Sequence, residues 1–247
     1  MLDRRELLLK SFGAALTFGT GVRLLGATLP SAETVITAPD LTAKDVCTLT
    51  CQQTLGPCYY DTGLIRSDIR EGKVGLPTLL SFLVLNVDTC EPVANASIDI
   101  WHTDARGIYS APINTMCNGT DLTARSQRFC RGVQFTDANG YARFLTVYPG
   151  WYSGRTTHIH ATIRVNNTEM VTTQFYFDDA LNDAIYSSHA SYNSRPVKDT
   201  TNLRDNVIGG SASRVSPFLF STKLIGGKSL AALKVIGIRT ARTTCAA

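Results

Sequence analysis

The feature that most constrains this chain is a succession of short apolar or alternating segments, each closed by a turn signal. No long amphipathic helical pattern accompanies them after residue 32. Residues 78–87 form a strongly apolar strand candidate, followed by a turn at Asp88–Pro92. Residues 96–102 alternate small or apolar with polar side chains, as a half-buried strand does. The runs 132–136 and 141–148 flank Asp137-Ala138-Asn139-Gly140, a hairpin signal. The run from His158 to Val165 is rich in β-branched residues and precedes a turn at Asn166-Asn167-Thr168. Residues 171–177 and 233–238 are further strand candidates, and the polar stretch 178–216 holds one helical turn near Ala180–Ile185. Six to eight short strands without a long helix predict a mainly β fold, an antiparallel β-sandwich with long loops. No linker divides residues 33–247, so one domain is expected there.

Residues 1–32 read as an export signal rather than as part of that domain. Arg4-Arg5 is followed by leucines and then by a mildly apolar run from Phe12 to Val22, too short to span a bilayer. The paired arginines resemble a twin-arginine signal, and a plain secretory signal with a basic start is the alternative. The chain carries +4 formal charge; removing four basic and two acidic residues with the signal leaves +2 (4 − 4 + 2). With no basic-aromatic patch, nucleic acid is not an expected partner, and the mature chain has no expected membrane span. All seven cysteines follow the signal (Cys47, Cys51, Cys58, Cys90, Cys117, Cys130, Cys245), and their spacing fits no zinc ribbon. In an oxidising compartment they read as disulfides with one left over, and Cys117 with Cys130 across a polar loop is the favoured pair.

The chemistry centres on Pro149–His160. His158 and His160 are two residues apart on a strand, so both imidazoles point to one face and Ile159 to the other. By itself this spacing fits a metal site or two polar residues on a solvated face equally well. Tyr109 ends the loop after the Asp99–His102 strand, and Tyr152 follows a Pro-Gly turn. Two imidazoles with two phenolates would make an N2O2 donor set. Phenolate oxygen is hard and anionic, which suits ferric iron better than zinc or cuprous copper. A phenol with a pKa near 10 ionises at neutral pH only beside a strong Lewis acid. Either tyrosine alone, among nine in the chain, is more simply a packing residue.

The order of motifs settles the comparison. Leu55-Gly56-Pro57-Cys58-Tyr59, Asp99-Ile100-Trp101-His102-Thr103-Asp104-Ala105-Arg106-Gly107-Ile108-Tyr109 and Phe129-Cys130-Arg131-Gly132 come first. Thr136–Gly140, Pro149-Gly150-Trp151-Tyr152, Arg155-Thr156-Thr157-His158-Ile159-His160 and Thr173-Gln174-Phe175-Tyr176-Phe177 follow. In this order they resemble the intradiol ring-cleavage dioxygenases, the catechol and protocatechuate dioxygenase family. The resemblance implies a catalytic β-sandwich holding one non-haem Fe(III) on Tyr109, Tyr152, His158 and His160. It further implies that Arg155 stabilises negative charge on the substrate ring, that Gln174 orients Arg155, and that Tyr59 lines the substrate pocket. Tyr152 would be the ligand that gives way to substrate and takes up its proton. The implied reaction takes a small aromatic diol and O2 to a cis,cis-muconic acid.

Two departures from the family matter. Cys58 stands where the family usually has an aromatic residue, which changes the pocket or signals a disulfide beside it. No N-terminal helical dimerisation region is legible, which leaves the oligomeric state open, a homo-oligomer included. The alternatives are a secreted β-sandwich carrier without catalysis and a zinc enzyme built on His158 and His160. The latter lacks an obvious third ligand, since Glu169 lies beyond a turn. His102 and His189 are expected to play no part in the chemistry.

Overall fold

The computed structural model describes residues 47–239 and Cys245; the expected export segment lies outside the described residues. Eight strands account for the sheets: β1 (Pro77–Asn86), β2 (Ser97–Trp101), β3 (Arg131–Phe135), β4 (Tyr141–Val147), β5 (His158–Val165), β6 (Thr168–Tyr176), β7 (Ser221–Ile225) and β8 (Ser229–Ile238). They form two four-stranded sheets, ordered β4-β1-β8-β7 and β3-β2-β5-β6. The expected sandwich is present. It is antiparallel except between β1 and β8, which run parallel because β7 takes the outer place in its hairpin with β8.

Alternation along the strands builds the core. Leu80, Phe82 and Val84 of β1 meet Ile98 and Ile100 of β2 and Ile159, Ala161 and Ile163 of β5, all buried in one continuous cluster. His158, His160 and Thr162 therefore turn to the outer face of the second sheet. There they are joined by Asp99 and Trp101 of β2 and by Gln174 and Tyr176 of β6, their cross-strand partners. The hairpin β3–β4 closes as its sequence demands. Asp137 Oδ1 accepts the amides of Asn139 and Tyr141, both at 2.9 Å, and Gly140 takes φ +77°.

The outer face is covered by irregular chain. A strap from Cys47 to Arg66 starts on β8, where the Thr50 amide donates to Gly237 O. It passes the free edge of β6 (Gln53 N to Thr172 O) and ends on the free edge of β3 (Arg66 N to Val133 O). The strap thus crosses the histidine face from edge to edge. All three disulfides hold it: Cys47–Cys90, Cys51–Cys245 and Cys58–Cys117.

Here the expectation for cysteine pairing is corrected. Cys117 bonds Cys58, 59 residues away in sequence, and Cys130 is a buried free thiol. The polar stretch between Cys117 and Cys130 is not an open loop but two short helices, Thr115–Asn118 and Leu122–Ser126, capped by Asn114 and Asp121. They carry Cys117 away from Cys130 and toward the strap. The structure also contains a strand that the sequence pattern does not reveal: β7 is an edge strand with Lys223 and Leu224 exposed, so its alternation is weak. The helical turn expected near Ala180–Ile185 is a helix, Asp179–Ser188, capped by Asp178. Among the described residues no helix is long and apolar enough to cross a membrane.

Candidate metal centre

Four donor atoms converge on the covered face. His158 Nε2 lies 3.2 Å from His160 Nε2 and 3.3 Å from the hydroxyls of both Tyr109 and Tyr152. The two histidines come from β5. Tyr109 comes from the loop after β2, with its amide tied to Cys117 O at 3.1 Å. Tyr152 and Arg155 are the two ends of a tight turn, bridged through Arg155 N and Tyr152 O and passing Gly154 at φ +81°. That turn places both side chains over the histidines.

The protonation pattern follows from the partners. His158 Nδ1 stands 2.7 Å from Thr156 O, which can only accept, so Nδ1 carries the proton and Nε2 presents a bare lone pair. Three groups surround that one lone pair, and a hydrogen bond satisfies only one of them. A cation at the centre removes the conflict, because all four atoms can then donate to it. The spacing agrees: donors each about 2.1 Å from a shared ion stand about 3.0–3.4 Å apart. Burial, aided by the charge of Arg155, lowers the His158 pKa to about 3, and burial together with His158 holds His160 well below the usual range. Both imidazoles are thus neutral donors at physiological pH. Burial raises Tyr109 far above an ordinary phenol, and the neighbouring Tyr152 adds to this. Burial also raises Tyr152, against an opposing pull from Arg155. Each keeps its proton until a strong Lewis acid displaces it. This donor set fits the ferric iron expected from the sequence.

The walls are equally specific. Trp101 stacks on His160 with ring centroids 4.8 Å apart and planes 12° from parallel. On the strap, Gly56 has φ +73°, and a Cβ there would stand 3.1 Å from His160 Cε1, so the backbone approaches the imidazole as only glycine allows. Cys58 and Cys117 pack with Trp101 and Tyr109. The disulfide foreshadowed by Cys58 is thus part of the site wall. Buried Arg131 ties this side together: Nη2 donates to Cys58 O (2.7 Å) and Ser110 O (2.8 Å), and Nε donates to Ser110 Oγ (3.0 Å). Its guanidinium carbon lies 5.9 Å from the centre of the Tyr109 ring.

The structure brings Arg155 and Gln174 together. Arg155 Nη2 donates to Gln174 Oε1, Nη1 reaches the Tyr152 hydroxyl at 3.4 Å, and Gln174 Nε2 donates to Thr54 O of the strap at 2.9 Å. Tyr59 lies one layer back. Its ring packs edge-on against Trp101 and its hydroxyl donates to Asp99 Oδ2 at 2.9 Å. It packs against the cluster of Cys58, Trp101, Tyr109 and Cys117 that walls the centre. His102 is buried away from the site, with Nδ1 on Thr103 O and Nε2 on Thr146 Oγ1. Arg131, and Asp205 through its hold on Arg155 Nε, support the site although the sequence assigns neither a role. Arg131 falls within Phe129-Cys130-Arg131-Gly132, whereas Asp205 lies in a polar stretch without any pattern.

Comparison with known proteins agrees with this arrangement. Residues 55–215 match a protein-family model described as dioxygenase. An intradiol ring-cleavage dioxygenase from Tetranychus urticae is similar in structure, with 26% identity and a TM-score of 0.68 over 80% of this chain and 98% of that one. A dioxygenase domain from Streptomyces sp. SirexAA-E shares the fold at 23% identity and TM-score 0.56, covering 78% of this chain and 100% of that one. Among curated proteins, a chlorocatechol 1,2-dioxygenase from Pseudomonas putida is 28% identical over 109 residues, which is 37% of this chain. The match spans only 38% of that relative's length.

Proposed function

We propose a function on the premise that this chain belongs to the intradiol ring-cleavage dioxygenase family, as the dioxygenase family match over residues 55–215 and the likeness to an intradiol dioxygenase over 80% of the chain together show. It is an Fe(III) dioxygenase that opens a catechol-type ring between its two hydroxyl-bearing carbons, consuming O2 and yielding a cis,cis-muconic acid. The observation that carries this reading is the convergence of Tyr109, Tyr152, His158 and His160 on one buried point. Held by Tyr109, Tyr152, His158 and His160, ferric iron would supply the Lewis acidity that makes a 1,2-diol reactive toward O2.

The chain's own groups divide the remaining work. The Nδ1–H to Thr156 O bond keeps the His158 lone pair aimed at the centre. Tyr109 is buried whereas Tyr152 is half-buried, so Tyr152 is the phenol with room to swing aside and accept a substrate proton at its oxygen. Arg155, fixed by Gln174, faces that same oxygen and favours anionic substrate. Trp101 and Gly56 flatten the wall beside His160, which suits a planar ring. Export fits the three disulfides, because such bonds persist in oxidising compartments. A reporter fusion to residues 1–32 that stays in the cytoplasm contradicts export.

Turnover of catechol under 18O2 tests the reaction. The iron-loaded protein is expected to form muconic acid with both new oxygens labelled. A product carrying one label, or an extradiol aldehyde product, contradicts the assignment.

A further inference from the structure

Arg155 has three side-chain partners, Tyr152, Gln174 and Asp205. Its Nε donates to Asp205 Oδ2 at 2.8 Å. The Asp205 side chain is fully buried, with 0% exposure. It is also saturated. Oδ2 accepts the Thr156 amide at 2.9 Å in addition to Arg155, and Oδ1 accepts the amides of Val207 (2.9 Å) and Ile208 (3.2 Å). The carboxylate is thus immobilised by the backbone of its own loop, and it grips both the arginine and the residue whose carbonyl fixes His158. A guanidinium is planar, so holding Nε through Asp205 and Nη2 through Gln174 determines where Nη1 points. Nη1 then faces the hydroxyl of Tyr152.

We propose that Asp205 is a positioning residue for ring cleavage, acting through Arg155. It holds the guanidinium so that Nη1 meets the substrate when Tyr152 moves away. This rests on the role of Arg155 in the function proposed above. Asparagine at 205 keeps the size of the side chain but cannot accept from both pairs of donors at once.

The test is a double-mutant cycle in the iron-loaded protein with catechol as substrate. Asp205→Asn is expected to lower kcat about 10- to 100-fold while changing KM less than about 3-fold. Its iron content and visible band should match the wild type. In an Arg155→Gln background the same substitution should cost less than about 2-fold, because the group it positions is gone. Wild-type kcat in Asp205→Asn, or an equal loss in both backgrounds, overturns the proposal. Should Asp205→Asn fail to fold, Asp205→Glu keeps the charge but moves the carboxylate by one methylene. It is expected to show the same loss and non-additivity, and wild-type turnover in it overturns the proposal. If the iron-loaded wild type leaves catechol intact, the proposed function fails separately. The crystal structure of the Asp205 variant then decides: a displaced Arg155 guanidinium supports the clamp, and an unmoved one refutes it.

Discussion

The two halves of the candidate metal centre are built by different physics. His158, His160 and Gln174 stand on adjacent strands, where the β5–β6 ladder and the core beneath Ile159 and Ala161 fix their directions. Tyr109, Tyr152 and Arg155 stand on irregular chain, where no ladder fixes anything. There the work passes to the Cys58–Cys117 bond, the buried Arg131, and Asp205. Regular structure orients its ligands through packing already needed for folding, whereas irregular structure needs dedicated covalent and ionic ties. The loop half should therefore be the fragile half.

The largest expected effect is the loss of the Cys58–Cys117 bond. It closes a loop of 59 residues, so replacing both cysteines with serine should cost about 4 kcal/mol in chain entropy. Iron affinity should fall with it, because the Cys117 carbonyl holds the Tyr109 amide. Denaturant melts and iron titration of the double variant measure both. A variant that melts lower yet binds iron as before breaks the link between the tie and the ligand.

The frame of the sandwich should respond to acid rather than to reductant. Burial lowers the His102 pKa from 6.5 to about 4, so the unfolded chain binds this proton first as pH falls. Stability should therefore drop by roughly 3 kcal/mol between pH 6.5 and 4. Replacing His102 with glutamine should make that part of the pH profile in thermal melts less steep by the His102 share, while buried His158 and His160 keep contributing to it in the metal-free protein. An unchanged slope contradicts the neutral, hydrogen-bonded imidazole.

Arg131→Met should cost about 2 kcal/mol by leaving Cys58 O and Ser110 O without a donor. The damage should fall on the loop half: hydrogen exchange is expected to speed up around Tyr109 and leave β5 unchanged. Exchange rising equally in both places removes the distinction. The smallest effect is expected from Gly56→Ala, about 1–2 kcal/mol, since alanine strains the left-handed backbone and presses on His160. A crystal structure should show the His160 ring displaced from Trp101, and an undisturbed stack contradicts the close contact described here.

The same division decides what could be read from sequence. The alternation that sends His158 and His160 to one face is a local property of β5, and most of the strands follow from equally local patterns. Tyr109 and Tyr152 have no local signal for their role, because the turn and loop that aim them are shaped by distant partners. Those two emerged only through a family resemblance spread along the chain. Asp205 is close to Arg155 only once the polar stretch after Ser188 folds back over the turn at Ser153-Gly154, where Asp199 also anchors it. The misassigned Cys117–Cys130 pair has the same origin. Nearness in sequence suggested the bond, but two capped helices and the strap bring Cys58 to Cys117 instead. The weak edge strand β7 carries too little alternation to be seen without its partner β8.

The central claim is that four side chains from these two halves meet on one ferric ion that retains room for a diol. The most direct test is the visible spectrum of the iron-loaded protein before and after anaerobic addition of catechol. The expected result is a tyrosinate-to-iron charge-transfer band that moves to longer wavelength when catechol binds. A protein that takes up iron and stays colourless, with no change on adding catechol, would contradict the account.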